Sequence, residues 1–332
     1  MHTIAVVEAS QIAEARRVAS KQATVLGFDE TEVGRVALVA TELATNLIKH
    51  GGGGEILIGD HQDARGSAVE MIALDRGRGI VDLQACLADG YSSTGTAGHG
   101  LGAIRRLSQL MEVVSWPELG TAILTRVGPD PGTATSPDQL DWSGAVSVPM
   151  PGEEACGDSC VALGGVNGRS LLVADGLGHG PEAAAASNEA VRLFQRHQGL
   201  PVPQLLELLH AGLRHTRGAA LAIARIEVGA NKVVYGGIGN IAGTLISGTE
   251  IRRMVSLNGT AGLNARKFQA FDYPGHDLVI LHSDGLMTNW SLNRYPGLQC
   301  AHPALIAAVL YRDFARRRDD VTVLVARCRT SP

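Results

Sequence analysis

Apolar positions recur along this chain at two periods, and the changes of period lay out its elements. Met1 to Glu8 alternates and reads as an edge strand. Ser10 stands where a cap belongs, ahead of a helix to about Leu26 with Ile12, Ala15, Val18, Ala19 and Val25 facing inward. Asp29, with Glu32 three residues on, opens a second helix whose apolar face is Val33, Val36, Ala37, Ala40, Leu43, Ala44, Leu47 and Ile48. Four glycines, Gly51 to Gly54, stop it. Strands follow at Glu55–Gly59 and Ala68–Leu74, then a Gly/Ser/Thr-rich loop from Asp89 to Ala97, a helix at Ala103–Met111, and strands at Glu112–Trp116 and Thr121–Val127 joined by a turn at Glu118-Leu119-Gly120.

Residues 128–137, rich in Pro, Gly and Thr, show neither period and read as a linker. The pattern therefore divides the chain into domains at 1–127 and 138–332. Beyond the linker, strands are expected at Asp141–Val148, Cys160–Gly165 and Arg169–Ala174, the last two a hairpin across Asn167-Gly168. Helices at Pro181–His197 and Val202–Leu213 come next. Strands at Ala219–Val228, Lys232–Gly237, Ala242–Ser247, Glu250–Met254, Gln269–Tyr273 and Asp277–His282 then precede helices at Leu286–Trp290 and Pro303–Arg316 and a last strand at Val321–Cys328. This order predicts two antiparallel sheets packed face to face and covered by helices, an α+β arrangement.

Length and composition narrow the picture. A chain of 332 residues with 45% hydrophobic positions suffices for two packed cores. The net charge of −4 offers no basic field for nucleic acid. The longest apolar runs are strand length, so no membrane span is expected. Glu8 and Glu14 interrupt any signal-peptide layout. Five cysteines at irregular spacing fit reduced thiols, and hence a cytoplasmic location, better than a disulfide or zinc framework.

The chemistry-bearing residues sit at element ends. Asp175 follows the apolar run Leu171–Ala174 and is succeeded by glycines at 176, 178 and 180. Asp284 ends a second apolar strand and is followed by Gly285. Asp319-Asp320 opens a third, and Gly157-Asp158 precedes a fourth. Carboxylates and backbone carbonyls are the ligands that hard cations take, so these acids are expected to converge on one binuclear metal site. In the first half, Glu42 and Asn46 are four apart on one helix face, Asp75-Arg76-Gly77-Arg78-Gly79 ends a strand, and Gly98-His99-Gly100-Leu101-Gly102 opens a helix. Each motif has a plain alternative: a solvated helix face for Glu42 and Asn46, a hairpin turn for Asp75, a strand-start turn for Asp319-Asp320.

Taken together, ELATNLIKH at 42–50, DRGRG at 75–79, GHGLGAIRRL at 98–107 and GTAIL at 120–124 resemble the GHKL (Bergerat) ATPases, an α/β sandwich fold, in their branch of anti-sigma-factor and stressosome serine kinases of RsbW and RsbT type. That resemblance implies ATP and Mg²⁺ as cofactors. Asn46 would contribute an oxygen to Mg²⁺ and Glu42 would act as the base for the acceptor hydroxyl. Asp75 would accept from the adenine amino group, with Gly77, Gly79 and Thr121 beside the ring. Gly98, Gly100, Leu101 and Gly102 would line the phosphates, and Gly95 and Thr96 would hinge a lid.

In the second half, CGDS at 156–159, VADGLGHGPEAA at 173–184, GGIGN at 236–240, HSDGL at 282–286 and RDDVTVLVA at 318–326 resemble the metal-dependent protein phosphatases (PPM family) in their SpoIIE/RsbX form, an αββα four-layer sandwich. By that resemblance Asp158, Asp175, Asp284 and Asp319, with the Gly176 carbonyl, would hold two Mn²⁺ or Mg²⁺ ions, and Asp320 would support or share the role of Asp319. His179 is either a proton donor to the leaving oxygen or a loop-packing residue, and Asn240 either a cleft or a turn residue. No arginine stands near the first acid, so the phosphate contact is unassigned.

The two resemblances imply a bifunctional regulator that phosphorylates a STAS-domain antagonist protein on Ser or Thr and hydrolyses the phosphate, with stressosome or sigma-regulatory proteins as partners. The alternative is a first domain that only binds nucleotide and gates the phosphatase. The residues leave open whether the first domain forms a homodimer.

Overall fold

The computed structural model describes residues 1–63, 66–83, 86, 100–129, 142–165 and 168–328. Gly95, Thr96, Gly98, His99, Asp141, Asn167 and the linker positions 130–137 lie outside the described residues. The chain forms two compact units, Met1–Gln139 and Leu140–Pro332.

The first unit contains β1 (His2–Val6), α1 (Ser10–Val25), α2 (Glu30–Lys49), β2 (Gly54–Asp63), β3 (Gly66–Asp75), α3 (Gly100–Leu107), β4 (Leu110–Trp116) and β5 (Gly120–Val127). Its antiparallel sheet runs β1-β2-β3-β5-β4, with β1 at an edge as its alternation predicts. Every second residue of the strands, such as Ile56 and Ile58 or Val69, Met71 and Ala73, meets Ala15, Ala19 and Ala23 of α1 and Val36, Val39, Ala40, Leu43, Ala44 and Leu47 of α2. Asp29 caps α2 as the sequence predicts, and the structure adds a reciprocal bond from Glu32 that makes a capping box.

Four local expectations are corrected. Ser10 does not cap α1, because the helix starts one residue earlier than expected: Ala9 holds the cap position, Ser10 is already helical, and its hydroxyl turns back to the Glu8 carboxylate. Val25 is exposed and Ala23 takes its inward place, because a stripe at 15, 19 and 23 steps by four. The expected helix to Met111 ends at Leu107, where Leu110 and Met111 join β4 against β5. At the expected linker's start, Gly128 accepts a 2.8 Å hydrogen bond from Arg35 Nη2 and is docked on its unit.

The second unit contains β6 (Ser143–Val148), β7 (Asp158–Gly165), β8 (Gly168–Gly176), α4 (Pro181–His197), α5 (Val202–Gly212), β9 (Ala219–Glu227), β10 (Lys232–Ile238), β11 (Ala242–Ser247), β12 (Glu250–Met254), β13 (Ser256–Leu257), β14 (Phe271–Pro274), β15 (Leu278–His282), α6 (Pro303–Phe314) and β16 (Val321–Arg327). One sheet runs β13-β10-β9-β8-β7 with β14 beside β10, and the other β12-β11-β15-β16-β6. Leu171, Val173, Ala224 and Tyr235 of the first face Leu245, Val279, Leu281 and Leu324 of the second across a shared core. The opposite faces of β8 and β9 carry Leu172 and Ile223 onto Phe194 of α4 and Leu205 and Leu209 of α5. On the far side α6, buried along almost its whole length, lies on β6 and β16. The result is four layers, helix, sheet, sheet, helix, as expected. The short strand β13, parallel to β10, is unexpected. The helix expected at Leu286–Trp290 is absent, because Leu286 bridges Ala315 and the Met287 amide donates to the Phe314 carbonyl, which ties the start of this segment to the end of α6, and only a turn follows at Thr288 and Asn289. Among the described residues no helix is long and apolar enough to cross a membrane.

Candidate functional sites

In the first unit, the C-terminal end of α2 meets the end of β3. Asp75 Oδ1 accepts from the amides of Gly77 at 2.8 Å and Thr121 at 3.1 Å. These bonds orient the carboxylate from one side, and the Thr121 hydroxyl lies 2.9 Å from Ser115 Oγ. Glycines make the close approach feasible. A β-carbon on Gly51 would stand 2.7 Å from Asp75 Cβ, and one on Gly77 would stand 2.9 Å from Gly51 Cα. Gly51 thus does more than stop a helix, which its place in a glycine run concealed. Gly79 has φ 72° and lies against the Trp116 carbonyl.

One turn back from the end of α2, Asn46 is half-buried beside the start of α3, where a β-carbon on Gly100 would lie 3.5 Å from Asn46 Oδ1. The amides of Gly100, Leu101 and Gly102 form that first turn, where the helix dipole favours an anion. Glu42, also half-buried, sits one turn before Asn46. The structure therefore brings Asn46 to the α3 start, and Asp75, Gly77 and Thr121 together at the α2 end. Gly98 lies outside the described residues.

In the second unit, hairpin register puts Asp158 directly opposite Asp175 on β7 and β8. Asp175, Asp284 and Asp319 line one cavity of about 740 Å³, together with His179, Asn240 and Arg318. Asp158 is buried next to it, with Oδ2 accepting from Ser283 Oγ at 2.6 Å. Ser283 Oγ in turn accepts from the Thr322 amide at 2.9 Å, which leaves its proton to Asp158. Asn240 Nδ2 donates to Asp284 Oδ2 at 2.7 Å. Asp320 is buried, with Oδ1 on the Met150 amide at 2.8 Å, whereas Asp319 faces the cavity.

Burial pushes Asp158 up to about 7 against the pull of the Ser283 bond, with Asp320 and Asp319 adding to the rise. Asp175 rises to about 8, again first through burial and then through Asp158, Asp284, Asp319 and Asp320. Asp319 also moves up, through burial and then Asp284. Carboxylates that raise one another's proton affinity are a set short of positive charge. The expected tight convergence is looser here: among the described residues no three His, Cys, Asp or Glu side chains close around a single point. The acids instead border a common cavity. Their donor set still fits a hard cation. It is all oxygen, Asp320 Oδ2 is buried without a hydrogen-bond partner, and the nearby thiols of Cys156 and Cys160 are pushed up to about 12, chiefly by burial.

His179 is exposed, and its Nδ1 lies 2.7 Å from Glu153 Oε1. His282 is buried, with Nδ1–H donating to the Ser283 carbonyl at 2.8 Å and Nε2 accepting from Trp290 at 3.1 Å. Sequence reasoning gave no role to Ser283 or Arg318. Ser283 stands inside a quoted motif, but its contact is with a residue 125 positions away. Arg318 adjoins the last acid, whereas an arginine was sought near the first.

Comparison with known proteins bears on both units. A family model described as histidine kinase-like ATPase domain matches residues 6–126, and one described as stage II sporulation protein E (SpoIIE) matches residues 167–329. The chain is 33% identical over 112 residues to the serine/threonine-protein kinase RsbT of Bacillus subtilis (strain 168), covering 34% of this chain and 84% of that protein. Among solved structures it is similar to one described as "The bacterial stressosome: a modular system that has been adapted to control secondary messenger signaling", at 28% identity and a TM-score of 0.52, over 56% of this chain and 98% of that one. It is also similar to RsbX in complex with magnesium, at 21% identity and a TM-score of 0.47, over 56% of this chain and 94% of that one. Through its first unit the chain belongs to the RsbT family of serine/threonine-protein kinases, and it fuses that kinase domain to a SpoIIE-type serine/threonine phosphatase domain.

Proposed function

We propose that this protein both adds and removes phosphate on Ser or Thr of a STAS-domain antagonist protein, as a cytoplasmic regulator in a bacterial partner-switching pathway. One observation carries the reading: a single chain holds, in two separate units, the Asp75 carboxylate bound to the Gly77 and Thr121 amides and a cavity lined by Asp175, Asp284 and Asp319, which suit a nucleotide and divalent cations respectively.

In the kinase unit Asp75 accepts from the adenine amino group, with Gly77, Gly79 and Thr121 beside the ring. The amides of Gly98, Gly100, Leu101 and Gly102 bind phosphate oxygens. Asn46 supplies an oxygen to Mg²⁺, and Glu42, one turn away on the same face, takes the proton of the acceptor hydroxyl. In the phosphatase unit Asp158, Asp175, Asp284 and Asp319, with the Gly176 carbonyl, hold two Mn²⁺ or Mg²⁺ ions. When bound, such ions supply an activated water and offset phosphoryl charge. The chain's own contribution is orientation: Ser283 and Asn240 hold Asp158 and Asp284, and Asp320 anchors the Met150 segment.

The test is to incubate the purified chain with a cognate STAS protein, ATP and Mg²⁺, then add Mn²⁺, and follow phosphate on the partner by mass spectrometry. Label gained and then lost is expected, and absence of both overturns the reading. The rival reading, a first unit that binds nucleotide only to gate the phosphatase, separates at Glu42→Ala. Loss of phosphoryl transfer with ATP binding retained supports the kinase. A wild-type chain that binds ATP, never labels its partner, and changes phosphatase rate with nucleotide supports the gate.

A further inference from the structure

The acidic cavity of the second unit poses an electrostatic problem. A phosphate monoester enters as a dianion, and Asp175, Asp284 and Asp319 already line the wall. Two divalent ions carry only as much positive charge as the four carboxylates that would hold them carry negative, so a fixed cation would add to the attraction and orientation of the phosphoryl oxygens.

The loop between α6 and β16 carries three consecutive arginines, and the fold gives them different tasks. The Arg316 amide donates to the Gly285 carbonyl at 2.8 Å, which fastens the loop behind Asp284. Arg317 has φ 58°, a conformation few side-chain-bearing residues adopt. It is held there by Tyr311, whose ring lies 4.7 Å below its guanidinium and whose hydroxyl accepts from Nη1 at 2.9 Å. That left-handed turn carries the chain into the cavity wall at the next residue, Arg318. Arg318 is exposed, and no hydrogen bond or ion pair ties it to a described residue. Two other basic groups near the cavity are engaged: His179 with Glu153, and Arg217, which passes over Gly178, with Glu182 of α4.

We propose that Arg318 binds the phosphoryl group of the substrate in the phosphatase cavity, whose wall it shares with Asp319 and Asn240. This assignment rests on the phosphatase reading above. A guanidinium suits the task because its planar fork binds two phosphate oxygens at once and stays charged at any working pH. Arg318 is thereby a substrate-binding residue placed by the strained Arg317 turn, and the sequence conceals it by putting it 160 positions from the first acid, Asp158.

The experiment uses the full chain with Mn²⁺, p-nitrophenyl phosphate as substrate and inorganic phosphate as competing ligand. For Arg318→Ala, KM and the phosphate inhibition constant are expected to rise about tenfold, the scale of one charge-assisted hydrogen bond, with kcat changed far less. Arg318→Lys, which keeps the charge but not the fork, recovers part of the loss. Arg217→Ala leaves both constants near wild type. Calorimetric titration of the Mn²⁺-loaded chain with inorganic phosphate reads the same loss without turnover. An active wild type whose phosphate affinity moves less than twofold in Arg318→Ala overturns the assignment alone. A wild type inert with Mn²⁺ removes the phosphatase reading and the assignment together.

Discussion

Asn240 donates its side-chain amide to Asp284 Oδ2 at 2.7 Å. The residue follows Gly239, whose φ of 92° turns the chain at the end of β10 toward the cavity. A donor on one carboxylate oxygen fixes the side chain and leaves the other oxygen to a cation. Such outer partners typically alter metal affinity ten- to a hundredfold. Asn240→Ala is therefore expected to weaken Mn²⁺ binding about tenfold. Because Asn240 is exposed, the unfolding temperature should stay near wild type. Mn²⁺ titration of activity, with thermal unfolding as the control, checks both. Unchanged Mn²⁺ dependence would reduce Asn240 to a turn residue.

A pH dependence follows from the acids. Burial and the neighbouring acids push Asp158 up to about 7 and Asp175 up to about 8 in the folded chain, whereas an unfolded aspartate titrates at about 4. Both shifts are upward, so between these values the folded state binds more protons than the unfolded one. Stability of the metal-free chain therefore falls as pH rises from about 4 to about 8 and levels off above. With EDTA present, the unfolding temperature should drop across that window. Asp158→Asn/Asp175→Asn should flatten the drop, and saturating Mn²⁺ should flatten it in the wild type. A double variant with the wild-type slope would show that other groups set the dependence.

The glycines after the site acids have a structural role besides any ligand role. A β-carbon on Gly176 would overlap the Ala183 carbonyl of α4, and one on Gly285 would overlap the Asp320 carbonyl. Backbone does not yield as a side-chain tip does, so each substitution must displace an acid-bearing segment. Gly176→Ala and Gly285→Ala are each expected to cost more than about 1 kcal/mol of stability and to weaken Mn²⁺ binding. Chemical denaturation and metal titration report the two losses. A Gly176→Ala chain as stable as wild type would mean that α4 shifts freely.

What the sequence made legible was local or periodic. The Asp29 cap of α2, the start of α4 at Pro181 and the face-to-face sheets all follow from residues a few positions apart. The Asp-Gly pairs at strand ends likewise marked the cavity wall from neighbouring residues alone. Contacts set by tertiary geometry were not legible. Ser283 reaches Asp158 only because β15 and β7 lie in facing sheets. Arg318 reaches the cavity only because Arg317 turns on Tyr311. Leu286 to Trp290 reads as a short helix only from its leading Leu and Met, and its bridge to Ala315 prevails. Ser10 is a fair cap by type, yet Ala9 takes the cap position and the Ser10 hydroxyl is spent on the Glu8 carboxylate.

The nucleotide pocket can be tested at Asp75 independently of the phosphatase. Its Oδ1 already holds the amides of Gly77 and Thr121. Asp75→Ala strips both amides of their acceptor, at about 1–3 kcal/mol for a buried donor, so it should lower the unfolding temperature as well as ATP affinity. Asp75→Asn separates the two effects. Its amide oxygen still accepts from the backbone, but its nitrogen meets the adenine amino group donor to donor. The Asn variant is therefore expected to unfold near the wild-type temperature, to bind a fluorescent ATP analogue at least tenfold more weakly, and to keep its Mn²⁺-dependent hydrolysis of p-nitrophenyl phosphate. Wild-type nucleotide affinity in Asp75→Asn would mean that the carboxylate serves only the Gly77 and Thr121 turn, and the adenine acceptor would have to be sought elsewhere in the unit.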